Sequence, residues 1–235
     1  MKHKIYVFVC FIGCLILASC STMKLKDGRK NITQMGQIEE VAMIAQNENI
    51  QHHSRKIGHF ILKEDFNIEW KNLRKKMTDF ANENGGNLFE ISEIGFGKKG
   101  HVFYVEGELY YNENLREIRS QFNENCAIHI IRPSFGNPLG STFTINIEID
   151  GDKYEKVSHK QKPIKKEFSD CDKEVEIFTN KSRNVVKLNG TPKYYFVARE
   201  GGMMATAGGV GISVGEVTLT EIEDKDFGRV MMYQY

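Results

Sequence analysis

The sequence predicts an α+β fold class: a small strand-helix-strand N-terminal domain followed by an antiparallel β-sandwich. One pattern of helical period stands alone in the first half, at Trp70, Leu73, Met77, Phe80 and Ala81. From Cys126 onward the chain breaks into about seven short β-branched or aromatic segments separated by Gly, Asn, Asp or Pro, the spacing of a sandwich. Hydrophobic residues are 40% and charged residues 27% of the 235, an ordinary globular balance that excludes a disordered chain.

The N-terminus bears on where such a fold works. The stretch MKHKIYVFVCFIGCLILASC opens with Lys2 and Lys4 and runs apolar from Ile5 to Ala18. A charged start before a hydrophobic run of this length reads as a secretory signal, too short and wrongly flanked for a membrane span. Leu17-Ala18-Ser19-Cys20 resembles the lipobox of bacterial membrane lipoproteins. The resemblance implies cleavage before Cys20, lipidation of that residue with chains such as palmitate, and a membrane partner through the lipid anchor. Ser21 is not a residue that retains such proteins in the inner membrane, so the implied location is the outer membrane of the cell envelope, facing the periplasm.

Cleavage removes 19 residues, including two lysines, and moves the formal net charge from +1 to −1. No concentrated basic face follows from such a balance, which argues against nucleic acid as a partner. Cys10 and Cys14 leave with the signal and Cys20 carries lipid, which leaves Cys126 and Cys171. In an oxidising compartment they form either a disulfide closing a 46-residue loop, counting both ends, or two separate buried thiols.

Along the rest of the chain, residues 20–36 are polar and turn-rich and read as a tether. A small α+β domain spans 37–112. Its strands are expected around Ile38–Ala45, from Ile57, over NLFEISEI and over HVFYVEGELYY, with Phe103, Val105, Leu109 and Tyr111 on one face and Gly107 at a possible bulge. Its helix is expected to be capped by Asp65 or Asn67 and closed by Gly85-Gly86. Residues 113–125 form a linker with a helical turn, and 126–235 form the sandwich. The helix, double glycine and hairpin ending in GELYY resemble the small α+β domain of several Gram-negative envelope lipoproteins. The strand ending Arg132-Pro133, then EIDG, YYFVARE and a final EVTLTEIE, resembles a domain of unknown function found in bacterial lipoproteins. That second resemblance implies an immunoglobulin-like sandwich and no established catalytic residues.

Two motifs suggest chemistry and lack its context. Gly211-Ile212-Ser213-Val214-Gly215 fits a hydrolase nucleophile elbow, which needs a helix after the serine and a histidine later in the chain. A β-branched segment follows Ser213 instead, and the last histidine is His159. GFGKKG fits a dinucleotide-binding pattern, which also requires a following helix, and here a strand follows. His52 and His53 share a loop and could ligate a metal with His59 or His101, though adjacent loop histidines are more simply solvated. The lysines of 153–166 read as a solvated hairpin facing the acidic run 167–176, or as a contact for anionic lipid or glycan. No metal and no cofactor is expected.

The glycine-rich stretch 201–215 reads as an adaptable loop, and Met203, Met204, Val210, Ile212 and Ser213 are its candidate contact residues. The expected function is a non-catalytic binding or assembly module of the envelope, with an envelope protein or glycan as partner. The alternatives are a hydrolase acting on envelope polymers, with Glu106 and Glu108 as acid and base, and an envelope-stress sensor.

Overall fold

The computed structural model describes residues 22–26, 38, 40–65, 69–96, 102–122, 125–133, 144–159, 161–180, 182–206 and 209–235; for Asp65, Phe96, 199–206 and 209–216 it describes the backbone alone. Cys20, His101 and the turn 97–100 lie outside these residues. The described chain is mostly β-strand, in one mixed five-stranded sheet, one mixed four-stranded sheet and one antiparallel four-stranded sheet. Among the described residues no helix is long and apolar enough to cross a membrane.

The first sheet holds β1 (Thr22–Lys26), β2 (Ala42–Ala45), β3 (Arg55–Asp65), β4 (Leu88–Phe96) and β5 (Val102–Tyr111), in the order β1-β3-β5-β4-β2. All pairs are antiparallel except β2 with β4. Alternation along β5 puts Phe103, Val105 and Leu109 inside, all fully buried. Gly107 lies on the same face, and the register shift sits opposite it on β4, between Ile91 and Glu93. A Cβ at Gly107 would lie 2.1 Å from the Glu90 carbonyl oxygen, so only glycine lets the two backbones approach this closely. Residues 22–26 of the expected tether are thus the edge strand of this sheet.

Helix α1 (Trp70–Asn84) packs the stripe Trp70, Leu73, Met77, Phe80 and Ala81 against the sheet. Its N-cap is Glu69, which makes no side-chain cap bond. Asp65 does not cap it because β3 runs through that residue, and Asn67 lies outside the described residues. A short helix α2 (Leu115–Ser120), capped by Asn114, covers the β2 end of the outer face, where Ile118 packs on Ala42, Ile44 and Leu88.

The second half supplies two four-stranded sheets. One has the order β13-β12-β6-β9, from β6 (Ala127–Ile131), β9 (Ile164–Glu167), β12 (Lys193–Thr206) and β13 (Gly209–Glu221). The other has the order β11-β10-β7-β8, from β7 (Ile145–Ile149), β8 (Asp152–Val157), β10 (Glu174–Thr179) and β11 (Ser182–Lys187). They share one cluster that includes Ile128, Ile130, Ile145, Ile147, Ile149, Val175, Ile177 and Val197. The half expected to be wholly antiparallel contains a parallel pair, β6 with β12. Cys126 and Cys171 are disulfide-bonded with their Cα atoms 5.6 Å apart, tying the start of β6 to the crossover from β9 to β10.

The chain closes with an unanticipated helix, α3 (Lys225–Gln234), which returns to the first sheet. Phe227, Val230 and Met231 are fully buried in the same cluster as Trp70, Phe60 and Phe89. The Trp70 ring lies 6.1 Å from Phe103, 6.0 Å from Phe196 and 5.4 Å from Phe227, so it joins both halves. Gly228 permits this seat, because a Cβ there would lie 2.3 Å from the Tyr194 ring. Two charge clamps fix the helix, the first half-buried and the second buried. Arg74 of α1 grips Asp224, at 2.7 and 2.5 Å, and Asp226, at 3.0 Å. Burial opposes the Arg74 charge, yet the two carboxylates hold its pKa above the usual value. Burial raises the Asp226 carboxyl against the pull of Arg74. Arg229 bonds Glu48 and the Met43 carbonyl and lies 3.5 Å from the Phe122 ring centroid. Burial lowers its pKa to about 10.

A polar cleft beside the acidic sheet face

The outer face of the first sheet gathers carboxylates, because Glu106 and Glu108 alternate on β5 and the shifted register of β4 sets Glu90 opposite Glu108 and Glu93 opposite Glu106. Each has a donor nearby. His59 lies between two of them, Nε2 at 2.9 Å from Glu106 and Nδ1 at 3.5 Å from Glu108, and Lys56 approaches Glu108 at 3.1 Å. The Tyr104 hydroxyl donates to Glu93 at 2.6 Å. Desolvation, together with Glu93, pushes the Tyr104 phenol up to about 12, and desolvation with Glu90 does the same to Tyr110. Glu106 and Glu108, read from the sequence as an acid–base pair, are therefore members of a paired network on an open sheet face. Their side chains are 34% and 27% exposed, and one histidine ring contacts both.

At the end of this face, between α2 and the ends of β3 and β5, lies a cleft of 660 Å³. Its floor is built from side chains that bond one another. Asn112 is buried and donates to the Ser54 hydroxyl at 2.7 Å, while its carbonyl oxygen accepts from the Asn114 backbone at 2.7 Å. His52 Nδ1 contacts the same Ser54 hydroxyl at 2.9 Å, and its Nε2 is 3.8 Å from Glu90. The Gln121 amide ties α2 to the Gln51 backbone at 3.1 and 3.0 Å. These bonds fix the shape of the floor before any ligand arrives.

The rim carries the groups left over. Arg55, His53 and Glu113 are exposed, and the Arg55 guanidinium sits 5.7 Å from the centroid of the half-buried Tyr111 ring. The cleft thus offers one aromatic wall, a cation in Arg55, two carboxylates in Glu113 and Glu117, and fixed amides, around a volume typical of small-ligand sites. Its polarity suits a hydrophilic ligand rich in hydroxyl and amide groups. In a second cavity of 400 Å³, Arg74, Arg119, Asp224 and Asp226 are already paired with one another, with Glu40 or with the Val41 carbonyl, and Glu223 and Lys225 complete the lining.

The other candidates fall elsewhere. The stretch 201–215, expected as a loop, continues the β12–β13 ladder, with Gly202 opposite Ser213, Met203 opposite Ile212 and Ala205 opposite Val210. Strand pairing satisfies backbone groups that an exposed loop leaves to water, which is why this stretch is strand and not loop. The side chains of Met203, Met204, Val210, Ile212 and Ser213 lie outside the described residues. Ser213 sits within a strand, so the strand–turn–helix of a nucleophile elbow is not formed there. Among the described residues no group of three or more His, Cys, Asp or Glu could hold a metal ion. The cleft itself was hinted at only by the adjacent His52 and His53. No family model, curated protein or solved structure matches this chain.

Proposed function

We propose that the chain is a lipid-anchored, non-catalytic binding module of the bacterial cell envelope, held by acylated Cys20 on the outer membrane and facing the periplasm. Its ligand is a carboxylate-bearing glycan segment of the envelope, taken into the cleft beside α2. The observation that carries this reading is the cleft's composition: a preorganised floor of amides, a Tyr111 wall against which a sugar face can lie, and Arg55 at the rim for an acidic group. The signal-like N-terminus and lipobox support the location, and the Cys126–Cys171 bond suits an exported, oxidising compartment. The face-to-face sharing of one core by two four-stranded sheets supports an immunoglobulin-like sandwich for the second half. The pairing of Glu106 and Glu108 with His59 on an open face supports binding over hydrolysis.

The test is titration calorimetry with a soluble peptidoglycan disaccharide–tetrapeptide. The expected result is saturable binding, weakened roughly ten- to a hundredfold in Arg55→Ala, the loss of one charge-assisted hydrogen bond of about 1.5–3 kcal/mol. Tyr111→Ala weakens it further through the lost stacking wall. Absence of binding refutes the ligand class, and release of a cleaved sugar refutes the non-catalytic reading.

A further inference from the structure

The edge strand β1 lies very close, in sequence, to the residue that carries the proposed lipid. One residue, Ser21, separates Cys20 from Thr22, where β1 begins. A fully extended chain covers roughly 3.3–3.6 Å per residue, so the start of β1 is held within about 7 Å of the acylated residue. With Cys20 acylated, the first sheet begins at the headgroups.

The register of β1 determines what this edge presents. Met23 and Leu25 are half-buried against the core, opposite Leu62 and Phe60. Thr22, Lys24 and Lys26 are exposed on the other face, opposite Lys63, Ile61 and His59. Lys63 is exposed as well, and among the described residues none of Lys24, Lys26 and Lys63 has a carboxylate partner. Lys56 and Lys76, elsewhere around the same sheet and its helix, do have partners, in Glu108 and Glu64. Lys24, Lys26 and Lys63 thus stand together without carboxylate partners at the edge nearest the anchor, while Arg55 at the far end of β3 and Lys71 on α1 stand singly.

We propose that the β1–β3 edge of the first sheet is the face on which the molecule rests on the membrane, with Lys24, Lys26 and Lys63 against anionic phospholipid headgroups. This inference rests on the acylation of Cys20 and adds an orientation to it. Each lysine near an anionic surface contributes about a fivefold preference, and salt weakens it within a Debye length. The arrangement leaves the cleft rim on the opposite end of β3, where Arg55 begins the strand and Lys63 lies near its close.

The experiment uses the full acylated chain, extracted from membranes and placed on vesicles of phosphatidylethanolamine with phosphatidylglycerol, or of phosphatidylcholine alone. Brief acetylation of lysines is read by mass spectrometry, together with the intact mass. The expected result is acetylation of Lys24, Lys26 and Lys63 about fivefold slower on the anionic vesicles, reversed by high salt, with Lys153 and Lys187 of the third sheet unchanged. An acylated, vesicle-bound chain whose three lysines react equally on both vesicles overturns the orientation and leaves the anchor standing. Slowing of Lys153 and Lys187 instead overturns it in favour of another face. An intact mass without acyl chains removes the anchor, and the orientation falls with it.

Discussion

Replacing Phe227 by alanine tests whether the C-terminal helix closes the N-terminal core. The ring is fully buried and 5.4 Å from Trp70, on the only tryptophan in the chain. Losing some 100–150 Å² of apolar burial at about 25 cal/mol per Å² costs roughly 3 kcal/mol. The cavity adds to this, because the Arg74 grip on Asp224 and Asp226 and the Arg229 bond to Glu48 keep α3 from sliding inward to fill it. A total near ~4 kcal/mol follows, a fall in Tm of about 8–16 °C for a chain of this size. The assay is denaturation followed twice, by Trp70 fluorescence for the first half and by far-ultraviolet circular dichroism for all strands. Both midpoints are expected to fall together. A Trp70 transition that stays in place while the dichroism shifts would refute the reasoning, for it would make residues 37–112 a unit independent of α3.

Gly107→Ala forces a Cβ to 2.1 Å from the Glu90 carbonyl oxygen, and backbone on both sides leaves little room to yield. A loss of about 1–3 kcal/mol or more is expected in urea unfolding. His129 is buried, stacks on Tyr194 at 4.7 Å, and is lowered to about 4 by burial and by Lys165, with Glu167 opposing. Its folded pKa lies below the unfolded value near 6.5, so the unfolded state binds more protons between pH 4 and 6.5 and stability falls as pH falls through that window. The drop is about 2–3 kcal/mol, and His129→Phe, which keeps a stacked ring, should flatten that part of the stability–pH curve. Reducing the Cys126–Cys171 bond releases a loop with a sequence separation of 45 and is expected to cost ~4 kcal/mol, read as a lower denaturation midpoint in the presence of a reductant.

The sequence carried the elements whose pattern is local. The α1 stripe is five residues at helical spacing, and the same five are buried. The alternation in VFYVEGELYY placed Phe103, Val105 and Leu109 on one buried face. Three features escaped because their support is tertiary. Strand β1 is five residues, TMKLK, too short to declare itself without β3 beside it. Helix α3 holds Gly228 in its middle, which weakens a helical reading, yet that glycine is what lets the helix meet Tyr194. The glycines of 201–215 likewise argue for a loop, and only pairing across the hairpin makes strands of them.

The cleft was the least legible part. Its walls come from 51–55, 111–114 and 117–121, and no spacing rule joins a loop, a strand end and a short helix. The acid pair was visible as Glu106 and Glu108, but the ring that contacts both, His59, arrives from another strand.

The most direct measurement places a photo-crosslinking benzoylphenylalanine at His53, exposed on the cleft rim, in living cells, and identifies the adduct by mass spectrometry. A glycan adduct that disappears when Arg55 is also replaced by alanine is the predicted result. A protein adduct, or none above background, would contradict the account of this cleft as a glycan site.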